Sequence, residues 1–244
     1  MSDRAAFDHL IHWVDDLDGA MRAYDACGLT TQGALTMPGF RNAAWGVDDE
    51  RYVELATVDD WAAVGTSKYA AGLEVLKPAI EALPGPGLLT FAVDVVDAHA
   101  TAARFRAAGR EVDVVEVRFE EENVGFVEVF VRDAPAYFPF FITYAPPRHE
   151  IGRMRAEPRA AAGISSAGRP DLVALLIGSA DPEGEARVFA EFVGCPARDS
   201  VVELPGAEVR FAEGFASGLS GIAVRGASVA RGANIAGMTV IGEQ

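Results

Sequence analysis

A short unit recurs three times along this chain, and few folds accommodate it. Each copy is an apolar strand ending in Asp, a helix of a few turns, and a Gly that stops the helix. Phe7–Val14 leads to Asp16 and Gly28, Leu89–Val96 to Asp97 and Gly109, and Leu172–Ala180 to Asp181 and Gly194. Aspartate is a good N-cap because its carboxylate accepts from the free N–H groups of the first turn, and Gly tolerates the left-handed stop. Cap and stop lie twelve residues apart in the first two copies and thirteen in the third, and the caps recur after 81 and then 84 residues. One unit repeated at near-constant period marks a repeat architecture.

Strands after each helix complete the unit. Beyond Gly28 they are expected over Thr30–Leu35, Phe40–Val47 and Arg51–Val58, separated by Met37-Pro38-Gly39 and Asp48-Asp49-Glu50. Trp61–Leu83 reads as one helix joining the modules, ended by Pro84-Gly85-Pro86-Gly87. The second copy repeats the plan with strands over Glu111–Val117, Gly125–Val131 and Phe138–Tyr144. Arg148–Gly168, with its Ala, Arg and Gly content, reads as a connector holding one helical turn. The third copy adds Ser200–Leu204 and Glu208–Phe211, and the tail Gly218–Arg225 with Gly237–Ile241 resembles a fourth copy cut short. The expected fold is therefore α+β, built from tandem βαβββ modules over 5–60 and 87–147. These form one domain over 1–147, followed by a connector over 148–168 and an incomplete domain over 169–244. The truncated pair leaves strand edges open, so docking within the chain or a homodimer is expected to cover them.

Composition narrows the function. Half the residues are hydrophobic, so the chain is globular. A formal charge of −15 argues against a nucleic-acid partner, because no basic surface exists to displace counterions. No apolar run is long enough to span a membrane, and Met1-Ser2-Asp3-Arg4 does not begin a signal peptide, so a cytoplasmic protein is expected. Cys27 and Cys195 each flank a helix stop and are read as reduced. There is no phosphate-cradling Gly loop, Gly-x-Ser-x-Gly elbow or Cys-x-x-Cys pair, and Ser165-Ser166 has no base signal nearby.

Within the first strand, alternation places His9, Ile11 and Trp13 on one face and Asp8, Leu10, His12 and Val14 on the other. Glu54 sits in an otherwise apolar strand, where a buried carboxylate needs a partner, and His9 or Arg41 is its expected companion. His12 reads as structural and His99 as a solvated helix residue. Trp13, Trp45, Phe140, Phe141 and Tyr144 are candidates to line a pocket.

A tandem βαβββ unit opening on Asp8-His9 and closing on Tyr52-Val53-Glu54-Leu55 resembles the vicinal oxygen chelate superfamily. The segment Pro38-Gly39-Phe40-Arg41-Asn42-Ala43, with Pro139-Phe140-Phe141-Ile142 later, is similar to its glyoxalase-like domain proteins. The resemblance implies a half-barrel whose concave face holds one divalent metal (Zn²⁺, Mn²⁺, Fe²⁺ or Ni²⁺), with His9 and Glu54 matching the ligands of the first module. It also implies that Arg41 and Asn42 clamp a carboxylate or carbonyl of the ligand, with Trp45 and Tyr144 beside it. The second module departs from the pattern: Thr90 stands at the position matching His9, and Phe140 or Phe141 at that matching Glu54. Two ligands are too few for a tight site unless His149, Glu150 or the substrate completes it, so the metal and its absence are both entertained.

The expected protein acts on a small oxygenated organic molecule. It is a metal-assisted lyase, isomerase or dioxygenase with His9 and Glu54 in the pocket, or an enzyme using one of them as a general base. The alternative is a metal-free protein that binds or sequesters a small molecule.

Overall fold

The computed structural model describes residues 5–161, 163, 168–214, 217–227 and 232–243; Met1–Arg4 and Ser165-Ser166 lie outside them. The first module is β1 (Ala6–Trp13), α1 (Leu17–Ala26), β2 (Thr31–Met37), β3 (Phe40–Gly46) and β4 (Tyr52–Val58), followed by α2 (Trp61–Val64) and α3 (Ala70–Ala82). The second is β5 (Gly87–Asp94), α4 (Ala98–Ala107), β6 (Val112–Phe119), β7 (Val124–Val131) and β8 (Phe140–Ala145), followed by α5 (Arg148–Ala161). The third is β9 (Asp171–Ser179), α6 (Pro182–Val193), β10 (Ala197–Arg198), β11 (Val201–Val202) and β12 (Glu208–Glu213). The last copy has, among the described residues, β13 (Gly218–Arg225), β14 (Ala233–Ile235) and β15 (Met238–Glu243).

The caps act as the repeat requires. Asp16, Asp97 and Asp181 accept from the backbone N–H groups of Gly19, Ala100 and Gly184. Gly28, Gly109 and Gly194 take φ of 76°, 79° and 74°, the left-handed region that terminates each helix.

Modules one and two form a single curled sheet of eight strands in the order β2-β3-β4-β1-β5-β8-β7-β6. At its centre β1 runs antiparallel to β5, and each runs parallel to the last strand of its own module, β4 and β8. The remaining strands repeat this plan in a sheet of seven, β10-β11-β12-β9-β13-β15-β14, with β9 and β13 antiparallel at its centre. Among the described residues the fourth copy thus shows three strands and no helix.

One apolar core joins the two sheets along their backs. Phe189 of α6 lies against Phe91 of β5 and Phe211 of β12, while Phe192 meets Phe105 of α4 and Phe141 of β8. Polar ties reinforce it: Phe7 N–H donates to Pro205 O at 2.7 Å, and Arg51 Nη2 to Asp171 Oδ1 at 2.9 Å. His12 links the halves as well, bonding Tyr24 OH and Ala236 O, both at 2.8 Å. Burial drives its pKa down to about 4, so the ring is neutral, donating to Ala236 O and accepting from Tyr24. Cys27 and Cys195 are free thiols. Among the described residues no helix is long and apolar enough to cross a membrane.

Two expectations need correction. The helix over Trp61–Leu83 is broken: α2 caps at Gly65, and Ser67 Oγ accepts from Tyr69 N–H to start α3 afresh. The connector is instead the helix α5, with Ile151, Gly152 and Arg159 buried. Gly and Pro within it lower its intrinsic propensity, and tertiary packing overrides that. A Cβ at Gly152 would stand 2.9 Å from Asp49 O, so glycine is what lets α5 lie on the turn before β4.

Phe189→Ala should cost about 3–5 kcal/mol, because the cavity it leaves lies where both sheets meet. Urea unfolding followed by far-UV circular dichroism is expected to stay a single transition with a lowered midpoint. Two separated transitions would show that the halves do not share one core.

Candidate functional site

The concave face of the first sheet, under α3 and α5, encloses a cavity of ≈ 580 Å³. Its walls are mostly apolar, with Ile11, Trp13, Phe40, Leu73, Leu76 and Ile142 among them. The polar groups are few: His9, Asn42, Tyr52, Glu54, Tyr69, Glu128, Tyr144, Arg155 and Arg159.

His9 is 4 % exposed and firmly oriented. Its Nδ1 lies 2.6 Å from Asp8 Oδ1, its ring stacks on Tyr52 at 4.6 Å, and Phe140 meets it edge-on at 5.6 Å. Neighbouring strand residues should face opposite ways, yet Asp8 reaches its neighbour because the β1–β5 register shifts between Phe7 and His9. Asp8 is completely buried, accepts from Tyr144 OH at 2.8 Å, and has Arg148 Nε 2.9 Å from its Oδ2. Burial works to raise its pKa, but the bond to His9 and the charges of His9, Arg148 and Arg155 outweigh it and hold the carboxyl below its usual value. An ionised Asp8 can only accept, so Nδ1 carries a proton, and in the neutral ring the lone pair sits on Nε2.

Nε2 points toward Glu54 Oε2, 3.7 Å away, while Asn42 Nδ2 donates to Glu54 Oε1. The structure therefore brings together His9, Glu54, Asn42 and Tyr144 as part of one site. It does not bring Arg41 or Trp45 there. Side chains alternate along β3, so Phe40, Asn42 and Ala44 face the cavity. Arg41 pairs with Asp59 at 2.6 Å on the outer surface, and Trp45 is 1 % exposed in the core behind the sheet. Thr90 donates to Phe138 O, Phe141 is in that same rear core, and the spare donors His149 and Glu150 are exposed beyond the cavity. His99 is exposed on α4.

A divalent metal does not suit this donor set. Among the described residues no group of three or more His, Cys, Asp or Glu converges, and Glu54 already accepts from Asn42.

Sequence reasoning missed Asp8, Glu128 and Arg155. Asp8 was assigned to the wrong face because alternation ignores a bulge. Glu128 is 3 % exposed on β7 and accepts from Tyr69 OH at 2.9 Å. Burial, with the nearby charges of Glu54 and Asp8, overcomes that hydrogen bond and pushes its pKa up to about 8. A carboxyl within an apolar strand was the available signal. Arg155 rides on a helix that was read as a connector, and its guanidinium lies 4.6 Å over the Tyr52 ring.

Comparison with solved structures bears out the fold. A hypothetical protein from Staphylococcus aureus superposes with a TM-score of 0.71 at 16% identity, covering 98% of this chain and 99% of that one. A variant of 4-hydroxymandelate synthase from Streptomyces coelicolor gives 0.52 at 12% identity, covering 91% of this chain and 71% of that one. Methylmalonyl-CoA epimerase from Streptomyces coelicolor covers 57% of this chain and 96% of its own, at 21% identity and a TM-score of 0.41. No curated protein sequence matches. The likeness to the first two of these structures is one of fold. The glyoxalase-like domain profile matches residues 7–193, and the chain belongs to that family.

Glu128 sets a pH dependence with a defined sign. The folded chain holds its proton to about pH 8, the unfolded chain only to about 4.5, so stability falls as pH rises through that window. Glu128→Gln keeps the acceptor for Tyr69 and removes the proton. Urea midpoints should show wild type losing ground to the variant between mildly acidic and mildly alkaline pH. A constant difference would mean that Glu128 is ionised throughout.

Proposed function

We propose that this protein binds a small oxygenated organic molecule on the concave face of the first sheet and moves a proton on it, with His9 as general base and no metal in the step. The observation that carries the reading is the buried Asp8–His9 pair, which fixes the tautomer and leaves Nε2 facing the cavity beside Glu54. A carbon acid next to a carbonyl is the substrate type that this arrangement suits. The C–H bond breaks, the proton passes to Nε2, and the electron pair moves onto the carbonyl oxygen as an enolate. Returning the proton to either face of the carbon, or to a neighbouring one, gives epimerase or isomerase chemistry. Loss of a leaving group from the enolate gives lyase chemistry. Glu128, neutral up to about pH 8, adds a carboxyl O–H to the cavity as a hydrogen-bond donor for an oxygen of the ligand.

A second reading is sequestration without chemistry, favoured by the apolar walls contributed by Ile11, Leu73 and Leu76. In both readings one chain supplies the whole cavity. A homodimer joined at the open strand edges is a separate proposal; light scattering that returns only monomer at every concentration would remove it.

Hydrogen exchange at carbon separates the readings. Incubated in D₂O with a panel of ketones, esters and oxo acids, the protein should wash deuterium into the position next to the carbonyl, as followed by proton NMR. His9→Asn should slow this by about 10²-fold or more, and Asp8→Asn should slow it too, since the wrong tautomer is then allowed. EDTA should leave the rate unchanged. Ligand binding without exchange would favour sequestration, and a rate abolished by EDTA and restored by Mn²⁺ or Zn²⁺ would overturn the metal-free reading.

A further inference from the structure

We infer that Arg155 and Arg159 form an oxyanion-binding subsite at the α5 side of the cavity, so that its ligand carries a carboxylate or phosphate group. This rests on the reading of the cavity as a ligand site and adds the chemical class that it admits.

The chain carries 36 acidic and 21 basic residues, and arginines such as Arg104, Arg106 and Arg153 that lack an acidic partner among the described residues are exposed, so one turned into a cavity without such a partner needs explaining. Arg41, Arg51, Arg110, Arg132, Arg148 and Arg210 all pair with carboxylates. Arg155 and Arg159 line the cavity, and among the described residues no carboxylate stands within ion-pair distance of either guanidinium. Arg155 lies over the Tyr52 and Tyr144 rings, at 4.6 and 5.9 Å. Arg155 also hydrogen-bonds Tyr144, and a guanidinium stacked on ring faces keeps its remaining edge N–H groups able to donate. Arg159 is buried and donates through Nη1 to Asp48 O at 2.7 Å, a neutral acceptor.

The two residues are four apart on α5, so both project from the same face. Arg159 titrates below its usual value, first because it is buried and then because Arg169 and Arg155 add positive charge nearby. Arg169, outside the cavity lining, is paired with Asp49, so Arg155 and Arg159 are the two cations that face the cavity, and two such groups on one wall form a site for a negative charge. Of the carboxyls around the cavity, Asp8 is paired with Arg148 and also feels Arg155, Glu54 is held by Asn42 beside His9, and Glu128 keeps its proton; none of the three stands within ion-pair distance of Arg155 or Arg159.

The seat of Arg159 is built into the sheet. A Cβ at Gly46 would stand 2.5 Å from its guanidinium carbon, so only glycine there leaves room for the head group. An oxyanion accepting from two such forks would be fixed in orientation, with the rest of the ligand lying along the apolar wall toward His9.

The test is calorimetric titration of the full chain with butanoate, hexanoate and octanoate, each beside its primary amide, and with inorganic phosphate. Carboxylates should bind more tightly than their amides. Arg155→Gln should weaken the carboxylates by about tenfold or more and spare the amides. Gly46→Ala, which displaces only the Arg159 head, should narrow the same gap with circular dichroism unchanged. Phosphate competing with octanoate would point to a phosphorylated ligand, and phosphate failing to compete to a carboxylate. The subsite is overturned if amides bind as well as carboxylates, if Arg155→Gln leaves the gap intact, or if no anion in the series binds. Exchange at carbon can be read with neutral ketones. A lost carboxylate preference with His9-dependent exchange intact therefore removes the subsite alone. The converse result removes the acid–base reading alone.

Discussion

Burying the Asp8 carboxylate within the first strand commits much of the molecule. An unpaired carboxylate in such a place costs several kcal/mol, so it persists only where partners surround it. They come from three directions: His9 from the same strand, Tyr144 from β8 and Arg148 from the first turn of α5. Satisfying one side chain thus fixes the tautomer of the histidine, the pairing of β8 at the centre of the sheet, and the start of the helix that roofs the cavity. Arg148 also donates to Phe7 O at 2.7 Å, which holds the helix start against the strand that carries the bulge. Arg155 lies two turns further along, so the same anchor carries it over Tyr52.

The repeat was legible because each of its signals is local. A carboxylate four or fewer residues from the N–H it caps, and a glycine at a left-handed stop, need no knowledge of tertiary structure. His9 and Glu54 were legible for a related reason: polar residues in apolar strands must be accounted for. Asp8 was not, because a bulge depends on the partner strand and alternation assumes there is none. The Arg41-Asn42 pair shows the opposite error. Alternation alone forbids adjacent strand residues from facing one ligand together, so placing Asn42 in the cavity already sent Arg41 to Asp59 and kept Trp45 in the rear core. The resemblance suggested a clamp that the strand geometry rules out. Helix α5 was hidden by composition: Gly152 and Pro158 argue against a helix, and Gly152 is there for its close approach to Asp49.

The polar groups of the cavity differ in protonation because their surroundings differ, although all share one concave face. Asp8 is ionised since a hydrogen bond and two arginines compensate its burial, whereas Glu128 is equally buried and has only a phenol. A proton acceptor at Nε2 and a proton donor on β7 can therefore coexist near neutral pH within one apolar chamber. That is a common physical basis for acid–base chemistry, and it needs no ion to create the asymmetry.

The second sheet repeats the plan without the polar groups of the cavity. Counting back from the helix caps, the residue matching His9 is Ala174, and the pairing of Leu176 with Arg210 matches that of Ile11 with Glu54. Arg210 is tied to Glu208 and Glu243, so that strand position is occupied by a local ion network. The contribution of this half is its back. Phe189 and Phe192 of α6 fill the space behind β5 and β8, which lets the central strands of the first sheet be buried on both faces. A half-barrel open to water behind would have to keep those positions polar or stay marginal in stability. With the rear sealed by a copy of itself, the first sheet can spend its front face on a cavity lined by the carboxyl groups of Glu54 and Glu128, a histidine and two arginines, groups that cost stability where they stand. The site in one half is physically possible because the other half carries none.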